Sequence, residues 1–304
     1  MTVVIPTHFG GRFVREAVES VRGQTLDDWE IKVVCDGCDD EMADLRKDPR
    51  IEVIAQRRSG ASIARNVGYS ASAGRYITFL DHDDVMFPGK LQAQVAAIEE
   101  DPGIGLCHTQ FEQVDAERNF LVAGHGADIQ YRDLLQCHFS LLMSTVLVSR
   151  AAMESVGGFD PKTIAEDIDF VLKVSRGFRL AFVPTVLLQY RRHTTNISGD
   201  PWVQFQEVDY VLTGYRRYLE RIGENESLAL LDQGRLNNRR TNAEIAILRA
   251  RSADRNSAAG LADMAKNLAL AFHLSRPAVR ANAQEFIVSP MPDAGLPPRS
   301  FRFL

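Results

Sequence analysis

The sequence predicts an α/β protein: a mostly parallel sheet with helices on its faces, followed by a helical C-terminal region. Three observations carry this. Short β-branched runs alternate with helix-period segments through the first third of the chain, a cluster of carboxylates closes that alternation, and from about residue 201 the pattern becomes helical throughout. At 304 residues with 45% hydrophobic and 25% charged content, there is enough apolar material for one large domain or two smaller ones, and disorder is not expected for most of the chain. A net charge of −5 leaves no overall basic character to neutralise a nucleic-acid backbone, so nucleic acid is not an expected partner.

Residues 3–5, Val3-Val4-Ile5, read as the first strand, ended by Pro6. Val14, Ala17, Val18 and Val21 recur at helical spacing, and residues 29–34 form a second strand. Residues 51–54 supply a third strand, 62–73 a helix, 76–80 a fourth strand, and 90–99 a helix entered through Pro88-Gly89. Beyond Asp101-Pro102-Gly103 the pattern is less regular, with strands at 104–111, 145–149 and 180–183 and a helix at 168–175. Val208, Val211, Leu212, Tyr215, Leu219 and Ile222 then fall on one helical face, and Leu261, Met264, Ala265, Leu268 and Phe272 on another. The expected division is 1–200 and 201–304, with a Pro-containing tail from Ser289 and no internal repeat.

The first apolar run leaves no room before Pro6 for a basic leader and a hydrophobic signal region. The longest apolar stretch, 139–148, is broken by Ser140, Ser144 and Thr145 and is too short for a bilayer, so a cytoplasmic protein without a transmembrane segment is expected. Cys35 and Cys38 make a C-x-x-C, but Cys107 and Cys137 are far apart and no spaced histidines complete a zinc site; ordinary reduced cysteines are the expectation. Asn196-Ile197-Ser198 fits a glycosylation pattern that carries no weight without a secretory signal.

The densest chemistry is Asp81-His82-Asp83-Asp84, directly after Tyr76-Ile77-Thr78-Phe79-Leu80. That places carboxylates at the C-terminal end of a strand, where open α/β sheets bind ligands. Clustered like charges are costly unless a cation or proton neutralises them, and hard divalent cations prefer oxygen ligands, so a metal holding a phosphorylated substrate is the natural reading; the plainer one is a solvated acidic turn. Gly60-Ala61-Ser62-Ile63-Ala64 is a small-residue helix start that lets backbone approach a ligand, with Arg65 as a permanently charged donor fork or, more plainly, a surface arginine. Glu166-Asp167-Ile168-Asp169 offers candidate bases, or an acidic helix N-terminus favoured by the dipole.

Four stretches in order resemble the family 2 inverting glycosyltransferases with the glycosyltransferase A-type fold. They are the run opening Val3-Val4-Ile5-Pro6-Thr7; Val33-Val34-Cys35-Asp36-Gly37-Cys38; Gly60 to Gly68 with residues 76–84; and Val156-Gly157-Gly158-Phe159 through Asp169, leading to Tyr190-Arg191-Arg192-His193. Together they span about residues 2–198. The resemblance implies a mixed, mostly parallel Rossmann-like sheet, a nucleotide-diphosphate sugar donor, a hydroxyl acceptor and a divalent metal ion, Mn or Mg. It implies that Pro6 and Thr7 meet the nucleotide, that Asp36 receives the base, and that Arg65 works near the nucleotide. Asp81 is implied at the ribose, or at the metal through water; Asp83 is implied as a metal ligand, and His193 as a group approaching metal or diphosphate. Asp167 is the implied base, supported by Glu166 and Asp169. Many relatives carry an Asp pair followed by Gly-Ser where this chain has Cys35-Asp36-Gly37-Cys38. His82, in the variable middle of the D-x-D, is expected to face solvent. Uridine or thymidine diphosphate sugars are the donors the resemblance favours.

Two other functions use the same residues. Residues 77–83 also read as the strand and D-x-D of a haloacid-dehalogenase-like phosphatase, although that leaves Asp36 and Arg65 without a task. A non-catalytic nucleotide-sugar-binding module would keep the fold without the chemistry. The C-terminal helical stripes suit either an acceptor-side cover or a homodimer, and the tail Arg299-Ser300-Phe301-Arg302-Phe303-Leu304 mixes cations with aromatics.

Overall fold

A computed structural model describes residues 1–8, 11–38, 42–124, 126–137, 141–193, 201–254 and 257–274. Its strands are β1 (Thr2–Thr7), β2 (Glu30–Asp36), β3 (Ile51–Gln56), β4 (Tyr76–Phe79), β5 (Val85–Met86), β6 (Ile104–Val114), β7 (Phe120–Ala123), β8 (Val146–Ser149) and β9 (Arg179–Arg191). The helices are α1 (Arg12–Arg22), α2 (Ala61–Ser70), α3 (Lys90–Glu99), α4 (Tyr131–Leu135), α5 (Arg150–Val156), α6 (Glu166–Gly177), α7 (Pro201–Ile222), α8 (Asn225–Ser252) and α9 (Ala258–Leu274).

Alternation along β1 builds both faces of the sheet. Val3 and Ile5 join the Val14, Ala17, Val18 and Val21 stripe of α1. Val4, one residue out of phase, joins Val34, Ala64, Ile77 and Phe79 on the opposite face, with α2. Gly68 lets α2 lie that close, because a Cβ there would overlap the Val4 side chain.

The strands form one sheet in the order β3-β2-β1-β4-β8-β6-β9-β5, with β7 on β6. β1 pairs parallel with both β2 and β4, and β6 with β9; β8 is antiparallel to β4 and β6. The sheet is mixed and mostly parallel, as expected. Strand order reverses beside β1, so the ends of β1, β2 and β4 open onto one crevice.

Several elements exceed the sequence reading. β9 runs on past residue 183 through Pro184, and its register against β6 shifts where Thr109 faces Val183 but Gln110 faces Val186, so a bulge absorbs the proline that has no N–H to give. β5, β7, α4 and α5 were not expected; α5 is capped by Ser149, whose hydroxyl accepts the Ala152 N–H, and ends at Gly157 in the left-handed region.

The first compact unit is Met1–Arg235 and the second Leu236–Leu304. Val211, Leu212, Tyr215 and Leu219 of α7 join the cluster containing Phe79 and Phe170, which is why the first unit extends beyond residue 200. In the second unit Leu261 and Phe272, on the stripe read on α9, are exposed, while Asn267, Leu270, Ala271 and Leu274 are buried. That helix is apolar around most of its circumference, so periodicity selects no face. Cys35 and Cys38, expected as reduced thiols, are joined as a disulfide, their Cα atoms 5.5 Å apart within bridging range. Among the described residues no helix is long and apolar enough to cross a membrane. Asn196-Ile197-Ser198 and the tail from Ser289 lie outside the described residues.

Candidate functional site

The ends of β1, β2 and β4 bring Thr7, Asp36 and Asp81 to the crevice. Pro6 and Thr7 are buried at the end of β1. His8 follows them and meets the His82 ring edge-on at 5.6 Å, so His82 is part of the crevice wall rather than a free surface side chain. Burial lowers the His8 pKa, helped by His82 and Arg58 against Asp36 and Asp83.

Asp36 has local work. One carboxylate oxygen accepts the Gln56 amide and the Ser59 N–H, each at 2.7 Å, and the other accepts the Gly60 N–H at 2.8 Å. It thereby satisfies donors at the approach to α2, where Gly60 takes a φ of 93° that a side chain would resist. A carboxylate has about four lone-pair sites, so capacity remains on the second oxygen for one further donor.

Arg65 joins the two acidic motifs. It is buried, and its guanidinium donates to Asp81 at 2.8 Å and to Glu166 at 2.5 Å, with Phe159 under its plane at 5.6 Å. Burial opposes its charge, but the two carboxylates outweigh that and raise its pKa. The next residue ties the same elements mechanically: the Asn66 amide donates to the Phe159 carbonyl and its oxygen accepts the Phe159 N–H, both at 2.9 Å. Phe159 in turn packs on Phe79 and Phe170. One turn of α2 therefore spans from the end of β4 to the start of α6.

Asp167 is partly buried on the first turn of α6 and accepts the Ile168 N–H at 2.8 Å. Burial pushes its carboxyl up to about 6, the Glu166 charge adding to the effect, while Ile168 and Arg65 pull the other way. A carboxyl poised there can take a proton near neutral pH. Asp169 points elsewhere along the helix, to the Lys173 ammonium at 2.6 Å.

Asp83 and His193, 110 residues apart, are brought together with Oδ2 and Nε2 at 2.8 Å. Among the described residues no group of three or more His, Cys, Asp or Glu side chains could hold a metal. Carboxylate oxygen and imidazole nitrogen nonetheless suit a divalent cation that completes its shell from substrate phosphates and water. Sequence reasoning missed three supports. Ser144 accepts the Asp81 N–H at 3.0 Å; Asp84 is buried, with its pKa raised by desolvation and then by Asp83 and Asp81; and Arg191 is buried behind Asp83. Asp84 and Arg191 lay inside motifs already noticed, whereas Ser144 stood out only as one of the polar residues breaking the apolar run 139–148.

Residues 2–138 match the model of "Glycosyl transferase family 2", and residues 76–207 that of "Glycosyl transferase family group 2". An uncharacterized glycosyltransferase of Rickettsia prowazekii is 26% identical over 231 residues, 73% of each chain. One of Rickettsia bellii is 34% identical over 125 residues, 40% of this chain and only 18% of that relative. Among solved structures, S. aureus TarS 1-349 in complex with UDP-GlcNAc superposes with a TM-score of 0.64 at 15% identity, covering 93% of this chain and 91% of that one. The mannosyltransferase PcManGT from Pyrobaculum calidifontis, in complex with GDP-Man and Mn2+, gives 0.57 at 18% identity, over 94% and 83%. The fold is that of the glycosyltransferase A-type enzymes, and over residues 2–207 the chain is similar to the family 2 glycosyltransferases.

Proposed function

We propose that this chain moves a sugar from a nucleoside diphosphate donor, a uridine or thymidine diphosphate sugar, to an acceptor hydroxyl with inversion. Asp167 is the base and a divalent metal, Mn or Mg, is held by Asp83 and His193. The observation that carries the reading is Arg65, buried between Asp81 and Glu166, which sets the candidate base directly beside the candidate donor crevice.

In this reading the acceptor oxygen attacks the anomeric carbon from the face opposite the diphosphate. Its proton passes to the Asp167 carboxylate, and the bond from the anomeric carbon to the diphosphate oxygen breaks with its electrons leaving on the diphosphate. The metal, when bound, offsets the charge on that leaving group. Asp36 offers its remaining lone pair to the base, Pro6 and Thr7 line the nucleotide from β1, and Asp81 meets the ribose. Glu166 and Asp169, paired with Arg65 and Lys173, hold the first turn of α6 in place around Asp167. All of these residues fall within 1–200, which we take as the catalytic portion; 201–304 is left to the acceptor or to self-association as a homodimer. A phosphatase would need Asp81 free to attack phosphorus, and its ion pair with Arg65 at 2.8 Å opposes that role.

Asp167→Asn tests the proposal. The amide keeps the shape but accepts no proton, so transfer should fall by roughly 10²–10⁴-fold with donor affinity retained. Near-normal turnover by the variant would remove Asp167 from the mechanism, and the absence of any transfer by the unaltered chain across donor and acceptor panels would favour the non-catalytic module.

A further inference from the structure

We infer that Arg191 is a positioning residue for the Asp83–His193 pair, an inference that rests on the metal reading above. Among the described residues it is the largest of the fully buried side chains, yet nothing in the transfer chemistry calls for it. Its Nε donates to the main-chain carbonyl of Asp83 at 2.8 Å, and its own main-chain N–H donates to the Asp84 carboxylate at 3.0 Å. One residue thus grips two successive positions of the acidic loop, through side chain and backbone.

The rest of the guanidinium faces outward from that loop. It donates to the Ala116 carbonyl and to the Glu16 carboxylate, both at 2.5 Å, which anchors it to the turn after β6 and to α1. Phe13 carries the Arg191 guanidinium over its ring at 4.4 Å and stacks with the His193 ring at 5.7 Å. Arg191 ends β9, and His193 stands two residues further on. The same side chain therefore fixes the backbone of one candidate ligand and, through Phe13 and its own strand, the ring of the other.

A lysine could keep the charge but not the fork, since a single ammonium cannot reproduce the planar set of donors to Asp83, Ala116 and Glu16. Groups behind metal ligands typically set affinity by about 10–100-fold. Asp36, the candidate for the base, and Thr7, a candidate nucleotide contact, stand on β2 and β1 and should not feel the change.

The test is calorimetric titration of uridine diphosphate into the full chain, with Mn2+ and separately with excess chelator. Arg191→Lys should weaken binding about 10–100-fold with Mn2+ and leave the chelator value unchanged. Glu16→Gln, a milder change at a partly exposed carboxylate, should move in the same direction by less. Equal loss in both conditions would make Arg191 merely structural and overturn the inference, as would full metal-dependent affinity in Arg191→Lys. If the unaltered chain bound uridine diphosphate equally with and without Mn2+, the metal reading itself would fail and this inference with it.

Discussion

Two acidic motifs meet at Arg65, and they differ in what surrounds their carboxylates. At the end of β4 Asp81 is paired with Arg65 and Asp83 with His193, while Asp84, buried behind them with its pKa raised by desolvation, accepts the Arg191 main-chain N–H. At the start of α6, Glu166 and Asp169 are held by cations, but Asp167 accepts only a neutral backbone N–H. The first arrangement suits holding charge in a fixed place. The second leaves one carboxyl with its pKa raised to about 6, able to gain and lose a proton during a reaction. On the proposed reading, neighbouring carboxylates would take different tasks from their partners, not from their residue type.

The largest test of that contrast acts on the holding side. Asp83→Ala should abolish the metal-dependent part of nucleoside diphosphate binding, because His193 alone leaves the diphosphate without its bridge to the protein. Calorimetry with and without chelator reads this directly; an undiminished metal effect in the variant would place the metal elsewhere.

Next in size is the base. In the proposed donor site a carboxylate at Asp36 would accept the ring N–H of uracil or thymine, whereas cytosine presents an acceptor at that position. An unpaired buried group costs about 1–3 kcal/mol, so cytidine diphosphate should bind about tenfold to a few hundredfold more weakly in competition with uridine diphosphate. Asp36 already accepts three hydrogen bonds within the chain, so a cytidine preference would reduce it to an organiser of the α2 approach.

A further expected change is in stability, and its sign follows from the raised pKa of Asp167. Asp167 titrates in the folded chain near 6, above its ordinary 3.8, so the folded state holds its proton more tightly than the unfolded one. Its charge therefore destabilises the fold above about pH 6 and has no effect below about pH 4. Asp167→Asn, without ligand, should be more stable than the unaltered chain at pH 7 by up to about 3 kcal/mol, with the advantage gone near pH 4. Denaturation curves at both pH values measure it, and an advantage that grew on acidification would reverse the assignment.

The frame of this site was legible in the sequence because it rests on short-range regularities. The short β-branched runs of β1 to β4 and the Val14–Val21 stripe are local, and the end of β4 needed only the Tyr76-to-Leu80 run to be found. The partnerships were not legible: Arg65 reaches Glu166 across 101 residues and His193 reaches Asp83 across 110, distances over which no spacing rule operates. The C-x-x-C was misread for a different reason, since its spacing is compatible with free thiols and with a bridge and the sequence alone does not choose between them. On α9 the apolar residues run around most of the helix, so periodicity alone did not say which face is buried.

The central claim is that Asp167, alone among these carboxylates, exchanges a proton in the reaction. The pH dependence of kcat/KM for the unaltered chain tests it most directly. The account predicts activity that is level above neutrality and falls about tenfold per pH unit below an apparent pKa near 6, as protonation removes the base. A profile that stayed flat through about pH 5, or that rose as the solution became more acidic, would contradict it.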